Sequence, residues 1–241
     1  MTAVTAVILA GGQGSRVRHL LPDIPKPLAV VAGRPFLEWV ISFLIKEGVT
    51  DFVISSGYRG EKIAAFAADL RERGIAAVVA CENVPLGTAG GFLNALAASS
   101  SGTPLVTACN GDSLLLSHLH PLFSAMSDPT LDAVIAGIHM EDTARFGSIS
   151  VNAEGLLSGF NEKHAGSGLI NAGLYLFRRD AIRRFGEKRP LSFEFDVFPS
   201  LLEQGARIKV VELSGPFLDI GTEETLMRAT DFIQGNREWF G

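Results

Sequence analysis

Apolar positions in the first half of the chain fall into short continuous runs that alternate with segments of helical spacing. Ala3-Val4-Thr5-Ala6-Val7-Ile8 reads as a strand buried on both faces, and Asp51–Ser56, Ile75–Cys81 and Pro104–Cys109 read the same way. Between them, Pro35–Glu47 places Phe36, Val40, Phe43 and Leu44 on one helical face and stops at Gly48. Glu61–Arg73 reads as an amphipathic helix ending at Gly74, and the cluster Gly87-Thr88-Ala89-Gly90-Gly91 opens a further helix through Ala98. From Asp132 the texture changes. Strand-like runs at Asp132–Ile138, Gly147–Val151, Leu169–Phe177 and Ile208–Glu212 are separated by polar turns, with Val151–Gly155 as a hairpin turn. Phe193–Glu203 and Thr222–Gln234 complete the pattern as helices. The alternation predicts an α/β fold, a mostly parallel mixed sheet with helices on both faces and a small antiparallel insertion in the second half.

Composition narrows the functions open to such a chain. With 47% hydrophobic and 20% charged residues over 241 positions, the chain can bury a full core as one domain, residues 1–241. A net charge of −5 argues against a partner that is nucleic acid or an anionic membrane, so any basic site must be local. No apolar run approaches the roughly 18 residues of a membrane span. No basic segment precedes an apolar stretch at the N-terminus, so no signal peptide is expected. Cys81 and Cys109 each sit in a strand-like run with no CxxC spacing, which predicts buried free thiols and a reducing cytoplasmic setting.

Candidate chemistry begins where the first strand ends. Gly11, Gly12 and Gly14 are followed by Ser15 and Arg16, and ten residues later Lys26 stands between Pro25 and Pro27. Glycines let successive backbone N–H groups approach an anion closely, and a guanidinium and an ammonium beside them add fixed positive charge. The loop is not a Walker A loop, because Gly14 is followed by Ser15-Arg16 rather than Lys-Ser/Thr. Nor is it a dinucleotide fingerprint, because Val17 stands where the third glycine belongs. Asn110-Gly111-Asp112 lies at the carboxyl end of a buried strand, and Phe217-Leu218-Asp219 ends a second one. Two hard carboxylates converging near triphosphate oxygens are what Mg²⁺ takes.

Gly-Gly-x-Gly-Ser-Arg, ten residues, then Pro-Lys-Pro-Leu resembles the signature of the sugar-1-phosphate nucleotidyltransferases, over essentially the whole chain. The run LLPDIPKPLAVVAGRPFLEW is most similar to the D-glycero-D-manno-heptose 1-phosphate guanylyltransferase subfamily. The resemblance implies a Rossmann-like, GT-A-like nucleotidyltransferase fold. Its nucleotide part would take about residues 1–130 and its sugar-phosphate part about 131–241; without a hexapeptide repeat, no C-terminal β-helix is expected. It implies transfer of GMP from GTP to a sugar 1-phosphate with release of pyrophosphate, in bacterial surface polysaccharide synthesis. Mannose-1-phosphate guanylyltransferase and glucose-1-phosphate uridylyl- or thymidylyltransferase stand as alternatives, as do a catalytically silent sugar-nucleotide binder and a nicotinamide-dependent oxidoreductase. The resemblance makes Arg16, Lys26 and Asp112 catalytic. It assigns Leu9, Ala10, Gly11, Gly12, Gly14, Ser15, Gly87 and Thr88 to the nucleotide and Asp112 with Asp219 to Mg²⁺. Gly147, Glu162 and Lys163 of Phe-x-Glu-Lys, Asn171 of Asn-Ala-Gly, and Glu194 go to the sugar phosphate. A homodimer is a possible assembly.

Overall fold

The computed structural model describes residues 4–146, 148–161 and 166–241. In chain order the first half runs β1 (Val4–Ala10), a short ribbon β2 (Val30–Val31) and β3 (Arg34–Pro35), α1 (Phe36–Lys46), β4 (Asp51–Ser56), α2 (Gly60–Glu72), β5 (Ala77–Cys81), α3 (Thr88–Ala98) and β6 (Leu105–Asn110). The second half runs β7 (Ser113–Leu115), α4 (His120–Ala125), β8 (Ala133–Met140), β9 (Ser148–Val151), β10 (Leu157–Asn161), β11 (Gly168–Arg178) and α5 (Arg179–Ile182). It ends with a π-turn at Phe193–Val197 running into α6 (Phe198–Glu203), then β12 (Ile208–Glu212), β13 (Phe217–Asp219) and α7 (Glu223–Gly235).

One seven-stranded sheet draws strands from both halves, in the order β12-β8-β11-β6-β1-β4-β5. β1 is central because its sequence is apolar on both sides: Ala6 and Ile8 face one core and Val7 the other. Pairing is parallel along β6-β1-β4-β5 and between β12 and β8. β11 runs antiparallel to both β6 and β8. One face is covered by α1 and α2 with Ile233 of α7; the other carries Phe92 of α3 and an aromatic group of Tyr175, Phe177, Phe185, Phe193 and Phe198. The small antiparallel elements are three ribbons, β9–β10, β7–β13 and β2–β3. The hairpin turn at 151–155 closes β9 on β10, with the Asn152 N–H donating to the Leu156 carbonyl and Gly155 at φ +71°.

Three expectations are corrected. Cys81 is exposed while Cys109 is buried, because β5 is the edge strand and only part of its length is covered. Burial pushes the Cys109 thiol up to about 12, which leaves it inert. The strand expected from Ile75 begins at Ala77, since the loop after Gly74 is still closing α2 through the Ile75 N–H to the Leu70 carbonyl. The helix expected from Phe193 starts as a π-turn, because the Ser192 hydroxyl and carbonyl take the N–H groups of Phe195, Asp196 and Val197 and widen the first turn.

Candidate active site

A cavity of ≈ 530 Å³ opens at the carboxyl ends of β1, β4 and β6, where Leu9, Gly11 and Gly12 face Glu82, Gly87 and Asp112. Open α/β sheets place ligands at this edge. The glycine loop is tied to the neighbouring strand end by the Tyr58 N–H donating to the Gly11 carbonyl at 3.3 Å. A Cβ on Gly57 would lie 2.7 Å from that carbonyl, so the close approach of the two loops excludes a side chain there. Gly14 holds φ +57°, with its Cα against the stem of Lys26, where a Cβ would come within 3.0 Å of the Lys26 Cβ. The lysine emerges from a tight turn fixed by Pro25 and Pro27, with its side chain only 13% exposed and its ammonium paired with the Asp112 carboxylate. Ser15 and Arg16 sit exposed in the turn that follows the glycines. Ala10, by contrast, is buried in the core, so it can offer a nucleotide only its backbone.

The two aspartates are brought together by the β7–β13 ribbon. Asp219 lies opposite Ser113, the neighbour of Asp112, and the Ile220 N–H donates to the Asp112 carbonyl at 3.0 Å. Asp112 is itself anchored by the preceding Gly111, whose N–H donates to Leu9 at 2.9 Å. The Asp219 carboxyl is held above the usual carboxylate range, first by burial and then by the negative charge of Asp112. Lys26, the Gly221 N–H and Arg145 pull in the opposite direction, the last through an ion pair at 3.2 Å. Two neighbouring hard oxygen donors fit a Mg²⁺ that keeps phosphate and water in its shell. Among the described residues no group of three or more His, Cys, Asp or Glu side chains is arranged to hold a metal ion by itself.

On the acceptor side, Asn171 and Glu194 come together although they lie on different elements. β11 carries a bulge here: from Asn171 to Tyr175 is four steps, against two from Gly137 to Ile135 on β8. The bulge re-aims Asn171. It depends on Gly173, at φ +72°, where a Cβ would fall 2.2 Å from the Asn110 side-chain nitrogen. Glu194 sits in the π-turn, with one oxygen accepting the Ser192 hydroxyl at 2.9 Å and the other accepting the Tyr175 hydroxyl at 3.0 Å. Gly147, Glu162 and Lys163 lie outside the described residues. Thr88 lines the cavity, and its hydroxyl also accepts the Phe193 N–H at 3.0 Å, joining the nucleotide loop to the acceptor segment. Gly87 is clamped against Leu191, whose carbonyl accepts the N–H groups of Ala89 and Gly90 at the start of α3.

Glu82 and Tyr58 are among the cavity residues that the sequence reading does not single out. Glu82, one position beyond β5, is held between Ser55, whose hydroxyl donates at 3.0 Å, and the Leu86 N–H at 3.0 Å. Gly11 and Gly91 leave the space its carboxylate fills. An acid at the carboxyl end of a strand, five positions before Gly87, was the available signal. Tyr58 lines the same cavity under the Arg18 guanidinium, 4.5 Å from the ring centroid, and its hydroxyl is shifted below the usual phenol range by hydrogen bonds from Arg18 and then Arg59. A lone tyrosine in a polar loop carries no such signal.

A glycine nest, a lysine and a carboxylate pair at the switch edge of a mixed sheet define a nucleotidyl-transferring enzyme. The chain belongs to the nucleotidyl transferase family, whose model matches residues 5–236. It is 31% identical over 236 residues to mannose-1-phosphate guanylyltransferase of Mycobacterium tuberculosis, covering 96% of this chain but only 65% of that protein. It is also 31% identical over 220 residues to D-glycero-alpha-D-manno-heptose 1-phosphate guanylyltransferase of Campylobacter jejuni, covering 91% of this chain and 95% of that protein. The crystal structure of HddC from Yersinia pseudotuberculosis complexed with GMP-PN superposes with a TM-score of 0.82 at 27% identity, covering 96% of this chain and 99% of that one. Among the described residues no helix is long and apolar enough to cross a membrane.

Proposed function

We propose that this protein transfers GMP from GTP to a sugar 1-phosphate, D-glycero-α-D-manno-heptose 1-phosphate in the first instance, with mannose 1-phosphate the nearest alternative. The observation that carries this reading is the meeting of Lys26, Asp112 and Asp219 at the rim of a cavity floored by the glycine loop. An oxygen of the sugar phosphate attacks the α-phosphorus in line. A new P–O bond forms as the bond to the β-phosphate bridging oxygen breaks, and pyrophosphate leaves. The attacking phosphate has a second pKa of about 6, so it is largely dianionic at neutral pH and needs no general base.

Charge is the obstacle. Two unit charges 4 Å apart repel by about 4 kcal/mol at an effective dielectric near 20, and the reaction brings several together. In this reading Lys26 meets charge growing on the α-phosphate and Arg16 follows the β- and γ-phosphates, while Lys163, which lies outside the described residues, takes the acceptor phosphate by resemblance to the family. Asp112 and Asp219 would hold a Mg²⁺, which would supply Lewis-acid neutralisation of the phosphate oxygens. Positioning and electrostatics of this kind carry most phosphoryl-type catalysis. The glycine backbone at Gly87 can lie flat against a base.

Glu82 supports guanine over the other bases. Its carboxylate retains lone pairs on both oxygens and can accept the N1–H and N2–H donors that guanine presents side by side. Uracil and thymine present carbonyl oxygens flanking a single N–H, which a carboxylate repels. The reading is tested by pyrophosphate release from four triphosphates against a panel of sugar 1-phosphates. GTP with the manno-heptose or mannose phosphate should turn over fastest, and loss of divalent cations to a chelator should abolish turnover. Glu82→Gln should cut kcat/KM for GTP by about tenfold or more, as expected for loss of a charged hydrogen-bond pair, while sparing UTP. Equal losses with both nucleotides would remove Glu82 from base selection.

A further inference from the structure

Tyr175 is fully buried in the aromatic group of the second core, 5.0 Å from the Phe193 ring and 5.3 Å from the Phe198 ring. Its neighbours are phenylalanines, so packing alone does not call for a hydroxyl. A buried hydroxyl costs free energy unless both its donor and acceptor functions are used. Here they are. The oxygen accepts an N–H from the Asn171 side chain at 2.6 Å, and the O–H donates to Glu194 at 3.0 Å. One phenol therefore bridges the bulge of β11 and the π-turn.

The other ends of both partners are fixed as well. The Asn171 side-chain oxygen accepts the Gly173 N–H at 2.9 Å, and the second Glu194 oxygen accepts the Ser192 hydroxyl at 2.9 Å. Burial and then the charge of Glu194 hold the phenol well above its ordinary range, so the O–H stays a donor to Glu194 at any working pH. The phenol thus ties both side chains from beneath the surface, beside a longer direct contact of 3.5 Å from the Asn171 amide nitrogen to Glu194.

We propose that Tyr175 is a positioning residue for the sugar-phosphate acceptor, its buried hydroxyl holding Asn171 and Glu194 where they meet the acceptor hydroxyls together. This rests on Asn171 and Glu194 being acceptor contacts. The test is Tyr175→Phe in the full chain, which keeps the ring and removes both hydrogen bonds. With the triphosphate and sugar phosphate that the wild type uses best, the acceptor KM should rise at least about fivefold. The triphosphate KM should stay within about twofold and the melting temperature within a few degrees. In a Glu194→Ala background the same change should raise the acceptor KM by less than it does in the wild type, since only the Asn171 hydrogen bond is then left to lose. An unchanged acceptor KM, or both KM values rising together, overturns the proposal. If Tyr175→Phe loses its cooperative melting transition, Ser192→Ala removes the other support of Glu194: a raised acceptor KM supports the proposal and an unchanged one overturns it. Absence of turnover by the wild type with every acceptor sinks the proposed function itself; turnover with an insensitive Tyr175→Phe sinks only this inference.

Discussion

Replacing Lys26 by alanine should lower kcat by about a hundredfold or more, equivalent to about 2.7 kcal/mol of transition-state stabilisation, the scale of losing one preorganised electrostatic partner. The argument is positional. The ammonium is held against Asp112 at the cavity rim, with its stem packed on Gly14, so it costs little reorganisation when charge develops nearby. Alanine also removes the stem, so Lys26→Met serves as the control that keeps the packing and deletes only the charge. Both variants should lose turnover alike. Single-turnover kinetics with melting curves decide the matter: turnover within a factor of two of wild type in Lys26→Met would detach this residue from the chemistry.

Asp219→Asn should abolish most turnover, by about a hundredfold, while leaving the metal-free protein as stable as the wild type or more so. The sign follows from the carboxyl's environment. Its folded pKa is raised by burial and by Asp112, so its contribution to stability is full below the unfolded value of about 4 and is lost as pH rises through the folded one. At neutral pH the ionised Asp219 is therefore a standing cost to the metal-free fold. Asparagine removes that cost and can still accept the Gly221 N–H, which the aspartate takes at 2.9 Å. The half-exposed Arg145 loses an ion pair worth little. Melting in the absence of divalent cations should show the gain at pH 7 and its disappearance below about pH 4. A lower melting temperature at pH 7 with preserved turnover would contradict both halves of the expectation.

Much of this was legible in the sequence, for reasons that differ by element. β1 could be read because an apolar run such as Val-Thr-Ala-Val-Ile-Leu-Ala must be buried on both faces, and it is central. The glycine loop and Lys26 could be read because backbone conformation and charge are local properties. The direction of β11 could not. A run apolar on both faces carries no sign of which way it points in the sheet, and the reversal is set by the connections before it. β10 carries no strand signal of its own, because Leu-Ser-Gly-Phe-Asn holds a glycine and two polar residues and only its pairing with β9 makes it a strand. The exposure of Cys81 is invisible in the sequence because periodicity reports a strand but not its distance from the sheet edge. Tyr175 looked like one more core aromatic in Leu-Tyr-Leu-Phe. Its hydroxyl acquires meaning only from Glu194, which is 19 positions away in sequence.

The carbonyl of Leu191 leaves one more consequence. The leading N–H groups of α3, which another architecture might aim at an anion, are already occupied by a strap arriving from the opposite half of the chain. That strap also donates the Leu191 N–H to Leu86 and the Phe193 N–H to Thr88, so Leu191 and Phe193 stitch it to the loop at 86–90 by four hydrogen bonds. Peeling it back would uncap α3 and loosen the loop at Gly87 in the same stroke. The loop at 86–90 and the segment that carries Glu194 are therefore joined into a single unit of local stability, so that opening one strains the other.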